Sequence, residues 1–297
     1  MGSAQANLRR VITMARRPFH DEPMSRVAVW SSRLALFALA VAALSIIIVR
    51  SGLLEIVPAL ATFAAALVFA GLAILLAFAA FVVIWRQGVP GLGRALLGMF
   101  LGLALLAYPA YLGTRALRLP PISDITTDTT NPPRFEVLTR LRPRGRNDYP
   151  GLEVAALQRT AYPDIAPLEL DAPPKVAYDA ALALVTKRKW YIGDARAPTL
   201  GRRDGVIEAV ARSPIMGFRD DVVIRVTPIG QGARIDMRSA SRFGDHDLGA
   251  NASRIRSLLE DIDDAVSSAP EPRSLPEKKA LPVKKGQPDK KAQPTKR

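Results

Sequence analysis

No cysteine occurs in these 297 residues, and only two histidines do. The first absence excludes disulfides and thiolate metal sites, and it leaves the redox compartment open, because a cysteine-free chain suits either side of a membrane. The second leaves few bases: Ser239 and Ser241 lie beside Arg238 and Arg242, yet no histidine is patterned to activate either as a nucleophile. Also missing are a GxxxxGK phosphate loop, an HExxH zinc helix and a GxSxG nucleophile elbow. Asp245, His246 and Asp247 are metal-ligand types, but adjacent residues rarely point at one ion. Asp220 and Asp221 are a carboxylate pair, but strand alternation turns them to opposite faces, which favours structural ion pairing. No catalytic residue, cofactor or metal is therefore assigned, and an enzyme is the less favoured reading.

Basic residues are abundant, with a formal net charge of +14, and their placement decides what they mean. Residues 1–28 contribute +3, residues 29–118 contribute +5 and the tail from 269 contributes +6. The stretch 119–268 has 21 basic and 21 acidic residues and is neutral. A folded nucleic-acid-binding domain carries its own basic footprint. This one does not, so the high pI belongs to membrane flanks and a tail, and nucleic acid is excluded as a partner.

Three apolar runs, about 27–49, 56–85 and 92–117, each reach the roughly 20 residues needed to cross a hydrocarbon core. Trp30, Trp85, Tyr108 and Tyr111 sit near their ends, where amphipathic rings prefer the interface. No apolar h-region at the start marks a cleaved signal peptide. The N-terminal segment carries Arg9, Arg10, Arg16, Arg17 and Arg26, the second loop Arg86 and Arg94, and the first loop Arg50 alone. Positive-inside then predicts a cytoplasmic N-terminus and an external, periplasmic C-terminal domain. Mid-depth Asp, Glu, Lys or His, which a transporter or proton relay needs, does not occur in any span. A membrane anchor is the simplest reading. Gly98 and Gly102 form a small-xxx-small pair, read as packing among the three helices in preference to dimerisation.

Beyond the spans, the chain turns to Pro, Ser, Thr and Asp at 120–133 and then to the arginine-rich RFEVLTRLRPRGRNDYPG. Those arginines suit either anionic lipid headgroups or a solvated loop balanced by carboxylates. AYPDIAPLEL reads as extended or edge chain. Asp171, followed by Pro173 and Pro174, predicts a helix start, and Val176, Ala177, Ala180, Ala181, Leu184 and Val185 continue at helical spacing.

Four strands follow, the first beginning at Trp190 and the second being VIEAVAR. On the third, Val222, Ile224 and Val226 face one way and Asp221, Val223, Arg225 and Thr227 the other. On the fourth, Ile235 and Met237 oppose Arg234, Asp236, Arg238 and Arg242. The connector PIGQG suits a hairpin. Two registers match the apolar faces, one setting Arg225 opposite Asp236 and the other Asp221 opposite Arg238. Asp247 then caps a helix with Leu248, Ala252, Ile255, Leu258, Leu259, Ile262 and Val266 on one side. Helices flanking an antiparallel four-stranded sheet make the domain α+β, with a helix-grip-like topology.

The chain thus divides into an N-terminal segment 1–28, a three-helix anchor 29–118, a lead-in 119–170, an α+β core 171–268 and a tail 269–297. From Leu275 the tail repeats LPEKKA, LPVKKG, QPDKKA and QPTKR, a composition that cannot build a packed core and predicts an extended arm.

The motifs WYIGD at 190–194, GFRDD at 217–221, RSASR at 238–242 and DLGAN at 247–251, with YPDIAPL and DITTDTTNPPRF before them, resemble the bacterial family termed domain of unknown function 1499. The resemblance covers about 120–266 and implies an envelope-associated domain of the kind often preceded by membrane helices. It implies no activity, and His246 departs from the family's pattern. The function that follows is a non-enzymatic, inner-membrane-anchored envelope protein whose external domain is a binding module. Membrane lipids, an envelope protein or an anionic cell-wall polymer are its candidate partners, and Asp221, Arg225, Arg238, Arg242, Asp247 and Asn251 its candidate recognition surface. Two alternatives are an envelope enzyme acting on a lipid or cell-wall ester, and an apolar small-ligand carrier.

Overall fold

The computed structural model describes residues 24–52, 55–141, 148–199 and 203–268. Arg9, Arg10, Arg16 and Arg17, the loop arginines Arg142, Arg144 and Arg146, and the Lys/Pro tail lie outside these residues.

Three helices, α1 (Arg26–Ser51), α2 (Ile56–Gln87) and α3 (Leu92–Arg118), are long and apolar enough to cross a membrane. They pack with small residues inside and large ones outside, as helices do when lipid is as apolar as leucine. Ala35, Ala38 and Ala42 on α1 and Ala66, Ala70, Ala73, Ala77 and Ala80 on α2 are buried, while Phe37, Val68, Leu75 and Phe100 stand exposed. Ser31 donates from Oγ to the Ala73 carbonyl at 2.9 Å, joining α1 to α2 inside the bundle. Gly98 and Gly102 seat α3 against both neighbours: a Cβ on Gly98 would lie 2.1 Å from Ser31 Oγ, and one on Gly102 2.9 Å from the Ala70 carbonyl. The small-residue pair therefore serves packing within one chain.

The domain is α+β, but its antiparallel sheet has six strands, not four. β1 (Asp124–Thr126) and β2 (Leu168–Leu170) both pair with β6 (Gly232–Ser241), and the order continues through β5 (Arg219–Ile229) and β4 (Gly205–Arg212) to β3 (Tyr191–Arg196). The two additional strands are three residues long, too short for alternation to register in a sequence. The 119–170 stretch also supplies a 3₁₀ turn (Leu138–Leu141) and helix α4 (Leu152–Ala161), so the lead-in is built into the domain.

Between β5 and β6, Ile229 pairs with Gly232, leaving a two-residue turn at Gly230 and Gln231. Gly230 has φ 58°, as the first position of a primed turn requires. This turn selects the register with Arg225 opposite Asp236 and sets Asp221 opposite Ala240.

Helix α5 (Pro174–Lys187) starts two residues later than Asp171 implies, with Pro173 at its N-cap. It and the closing helix α6 (Ala250–Ser267) cover one sheet face. Ile207, Ile224, Ile235, Met237, Ile255, Leu258 and Ile262 form the core there, each fully buried. Trp190 packs at its margin, with the Arg188 guanidinium 5.6 Å from the ring centroid. A smaller core of Phe135, Leu138, Val210, Val223 and Ala240 closes the opposite face, so the segment after β1 lies across the sheet as a strap.

Candidate functional site

Beneath that strap lies the charged sheet face anticipated from the β5 and β6 alternation. Arg238 is 1% exposed and makes a two-pronged contact with Asp124, Nε to Oδ1 at 2.9 Å and Nη2 to Oδ2 at 2.7 Å. Its Nη1 donates to the Pro133 carbonyl, and its guanidinium lies between the rings of Phe135 and Tyr149, 4.8 and 5.6 Å from their centroids. Burial, and then the Asp124 charge, push the Tyr149 hydroxyl up to about 12. Arg225 reaches Asp236 at 3.0 Å and Asp128 at 3.7 Å, and Arg234 binds the same two carboxylates. Arg242 donates from Nε and Nη2 to the fully buried Asp221 at 2.9 and 2.7 Å.

A second polar cluster fills the helix side of the sheet at the start of α6. Asp247 accepts from the backbone N–H groups of Gly249 and Asn251 at 2.8 and 2.7 Å, but the cap position expected of it is taken by Gly249, in the left-handed region, and the helix begins at Ala250. Burial raises the Asp247 carboxyl above the usual range, opposed by these two backbone hydrogen bonds. Asn251 donates to the Ser123 carbonyl and Ser241 Oγ and accepts from Ser239 Oγ and Arg254. Arg254 also binds Asp220 at 2.5 Å. Asp220 and Asp221 thus point to opposite faces, each neutralised by its own arginine.

The six candidate residues do not form one exposed surface. Asp221, Arg238, Asp247 and Asn251 are buried and spend their hydrogen bonds inside the domain. Arg225 and Arg242 keep 18% and 15% of their side chains accessible. Arg242 lines a cavity.

That cavity, of about 470 Å³, lies where the anchor meets the domain. Val49, Gly52, Glu55, Ile56 and Val57 line it from the α1–α2 turn, and Gly217, Phe218, Arg219, Arg242 and Phe243 line it from the domain. Phe218 and Phe243 stack with centroids 5.8 Å apart. The junction is clamped: Arg50 donates to the carbonyls of Pro214 and Ile215 at 2.7 and 3.1 Å, and Arg212 donates back to the Arg50 carbonyl at 3.3 Å. A Cβ on Gly217, which has φ 74°, would come within 2.8 Å of Arg50 Cγ, so glycine suits both the turn and the close approach. At the C-terminal end of α3, His246 Nε2 lies 3.4 Å from the Ala116 carbonyl.

Several structural residues escape sequence reasoning. Glu208 is fully buried and accepts from the N–H groups of Glu136, Val137 and Leu138, holding down the strap. An acid inside VIEAVAR was a visible signal, but its partners lie about 70 residues away. Gln158 uses its side-chain amide as a strand would, donating to the Thr126 carbonyl at 2.7 Å and accepting from Thr126 N–H at 3.1 Å. Among the described residues no three His, Cys, Asp or Glu gather as a metal site.

Residues 124–262 match the family described as protein of unknown function DUF1499. No curated protein matches the chain. Among solved structures, CalU16 from Micromonospora echinospora is 15% identical over 34% of this chain and 74% of its own, with a TM-score of 0.24. TTHA0849 from Thermus thermophilus is 14% identical over 35% and 97%, at 0.20. The di-domain ARO/CYC BexL from the BE-7585A biosynthetic pathway is 13% identical over 59% and 64%, at 0.22. Agreement this loose carries no functional weight.

Proposed function

Because residues 124–262 are a DUF1499 domain, carried by a chain with three helices able to span a membrane, we propose that the protein is a non-enzymatic, multi-pass envelope protein whose external domain is a binding module. One observation carries this reading: the cavity at the junction takes one wall from the anchor and the other from the domain. Such a site exists only when the domain is seated on its own membrane helices. Arg242 contributes to it directly, while Asp221, Arg238, Asp247 and Asn251 hold the frame that presents it.

Carboxylates already neutralised by arginine, as Asp220 and Asp221 are, favour a binding role over acid–base chemistry. The filled interface between sheet and helices points the same way, and it disfavours an apolar carrier with a ligand beneath the sheet. A helix-grip arrangement is kept as an analogy of topology. The excess of arginines at 1–28 and in the second loop supports an inner-membrane location with the N-terminus cytoplasmic and the domain periplasmic.

The test is in-cell photocrosslinking from a reactive side chain placed at Phe243. One discrete adduct, lipid or protein, is the expected result. Absence of any adduct, with the same probe at Leu182 on the core side as baseline, overturns the reading.

A further inference from the structure

We propose that the junction cavity holds the headgroup of a zwitterionic, amine-bearing glycerophospholipid from the surrounding leaflet, with its phosphate on Arg219 and its ammonium on Glu55. This rests on the binding-module reading and names the ligand of that same site.

Position comes first. Helices α1 and α3 run in the same direction, and the ends of both meet the domain, at Arg50 and at Ala116. Ser51, Gly52, Glu55 and Ile56 therefore lie at the water boundary on the domain's side, where phospholipid headgroups sit. Val49, Ile56 and Val57 give the cavity an apolar lining on the helix side, and Val57, 65% exposed, stands on the outside of α2, a path for an acyl chain.

Charge then selects the headgroup. Two guanidiniums and one carboxylate line the cavity. The Arg242 guanidinium is committed to Asp221, so that pair adds no net charge. Arg219 is exposed, and its guanidinium forms no hydrogen bond or ion pair among the described residues. Glu55 is likewise exposed and does not cap α2 with its side chain. Among the described residues, one unpaired cation and one unpaired anion at the same rim match a phosphate and an ammonium. An anionic headgroup would satisfy Arg219 and leave Glu55 repelled. The stacked Phe218 and Phe243 rings give the ammonium and the glycerol region a wall. The volume of about 470 Å³ falls within the range of roughly 300–1,000 Å³ common for small-ligand sites.

The full chain, reconstituted in vesicles of equal palmitoyl-oleoyl phosphatidylethanolamine and phosphatidylglycerol, is extracted gently and its retained lipid weighed by native mass spectrometry. Wild type is expected to keep the ethanolamine lipid about 3–5-fold over the glycerol lipid, the discrimination one interfacial ion pair supplies. Glu55→Gln is expected to bring that ratio to about 1 while a phospholipid is still retained. Arg219→Gln is expected to lose both lipids, and Arg219→Lys to restore them. No preference in wild type, a preference for the glycerol lipid, or variants that behave as wild type overturns the proposal. The crosslinking arm separates the two levels: a protein adduct without lipid at Phe243 overturns the lipid and leaves the binding module, and no adduct overturns both.

Discussion

Asp124→Asn tests whether the charged sheet face is structural. Asp124 is 5% exposed and supplies both oxygens that hold Arg238. The substitution leaves one acceptor oxygen, places an amide against Nη2 and leaves a guanidinium buried between Phe135 and Tyr149. Breaking a buried pair by removing one partner costs about 3–5 kcal/mol, against a total of roughly 5–15 kcal/mol for a domain. Asp164→Asn is the internal control, because Asp164 and Arg256 form a similar pair with 53% and 43% of their side chains exposed. An exposed pair contributes about 0–1 kcal/mol. Hydrogen exchange read by mass spectrometry on β6 peptides of the detergent-solubilised chain measures both. Protection there is expected to fall on the order of a hundredfold for Asp124→Asn, the equivalent of about 3 kcal/mol, and by less than about fivefold for Asp164→Asn. Pairing Asp124→Leu with Arg238→Met is expected to recover most of the loss, since an apolar replacement of matched volume removes the stranded charge. If Asp124→Asn costs no more than Asp164→Asn, the reasoning fails.

Tyr149, ionising at about 12 instead of 10.0, stays protonated in the fold at pH values where the unfolded chain has lost its proton. Stability is therefore full below pH ~10 and declines as pH rises towards ~12, and Tyr149→Phe should flatten that limb in an alkaline unfolding series. Asp247 is raised by burial, so its charge opposes folding and its share of stability falls as pH rises through its folded pKa. Asp247→Asn sheds the buried charge but keeps only one of the two oxygens that accept from Gly249 and Asn251, so in thermal melts at pH 7 it should fall between wild type and Asp247→Ala, which loses both hydrogen bonds and should cost about 1 kcal/mol or more. Gly98→Ala sets a methyl against the Ser31 backbone and should destabilise the bundle by about 1–3 kcal/mol, seen as a lowered melting temperature in detergent. A phosphatase fused after residue 268 should be active and a fluorescent protein fused there dark; the reverse pattern would invert the topology.

What was legible in the chain was whatever repeats locally. The apolar runs of the anchor and the alternation along β5 and β6 could be read because neighbours two or four residues apart share a face. The hairpin register needed one further fact, the length of the turn at Gly230. Strands β1 and β2 were hidden because three residues hold no period, and they exist only because β6 offers them an edge. Charge along the candidate surface could be read from alternation, but exposure does not follow from charge. Whether Arg238 meets solvent depends on Asp124, 114 residues away, and on the strap that covers it. Nothing local to Glu55 and Arg219 hints that folding brings them to one cavity.

Only five residues, 119–123, separate α3 from β1, and part of that link is fixed, with Ser241 N–H bonded to the Ser123 carbonyl and Asp247 N–H to that of Ile122. A segment that short spans about 17 Å at most when extended. The domain therefore has almost no search volume relative to its three helices: it cannot swing out to capture something tens of ångströms away, as a module on a long flexible tether can. In the membrane placement proposed above, encounters at the junction become two-dimensional, governed by the surface density of molecules diffusing in the same leaflet. For occupancy of the proposed site, the composition of the membrane then counts for more than the concentration of anything dissolved beside it.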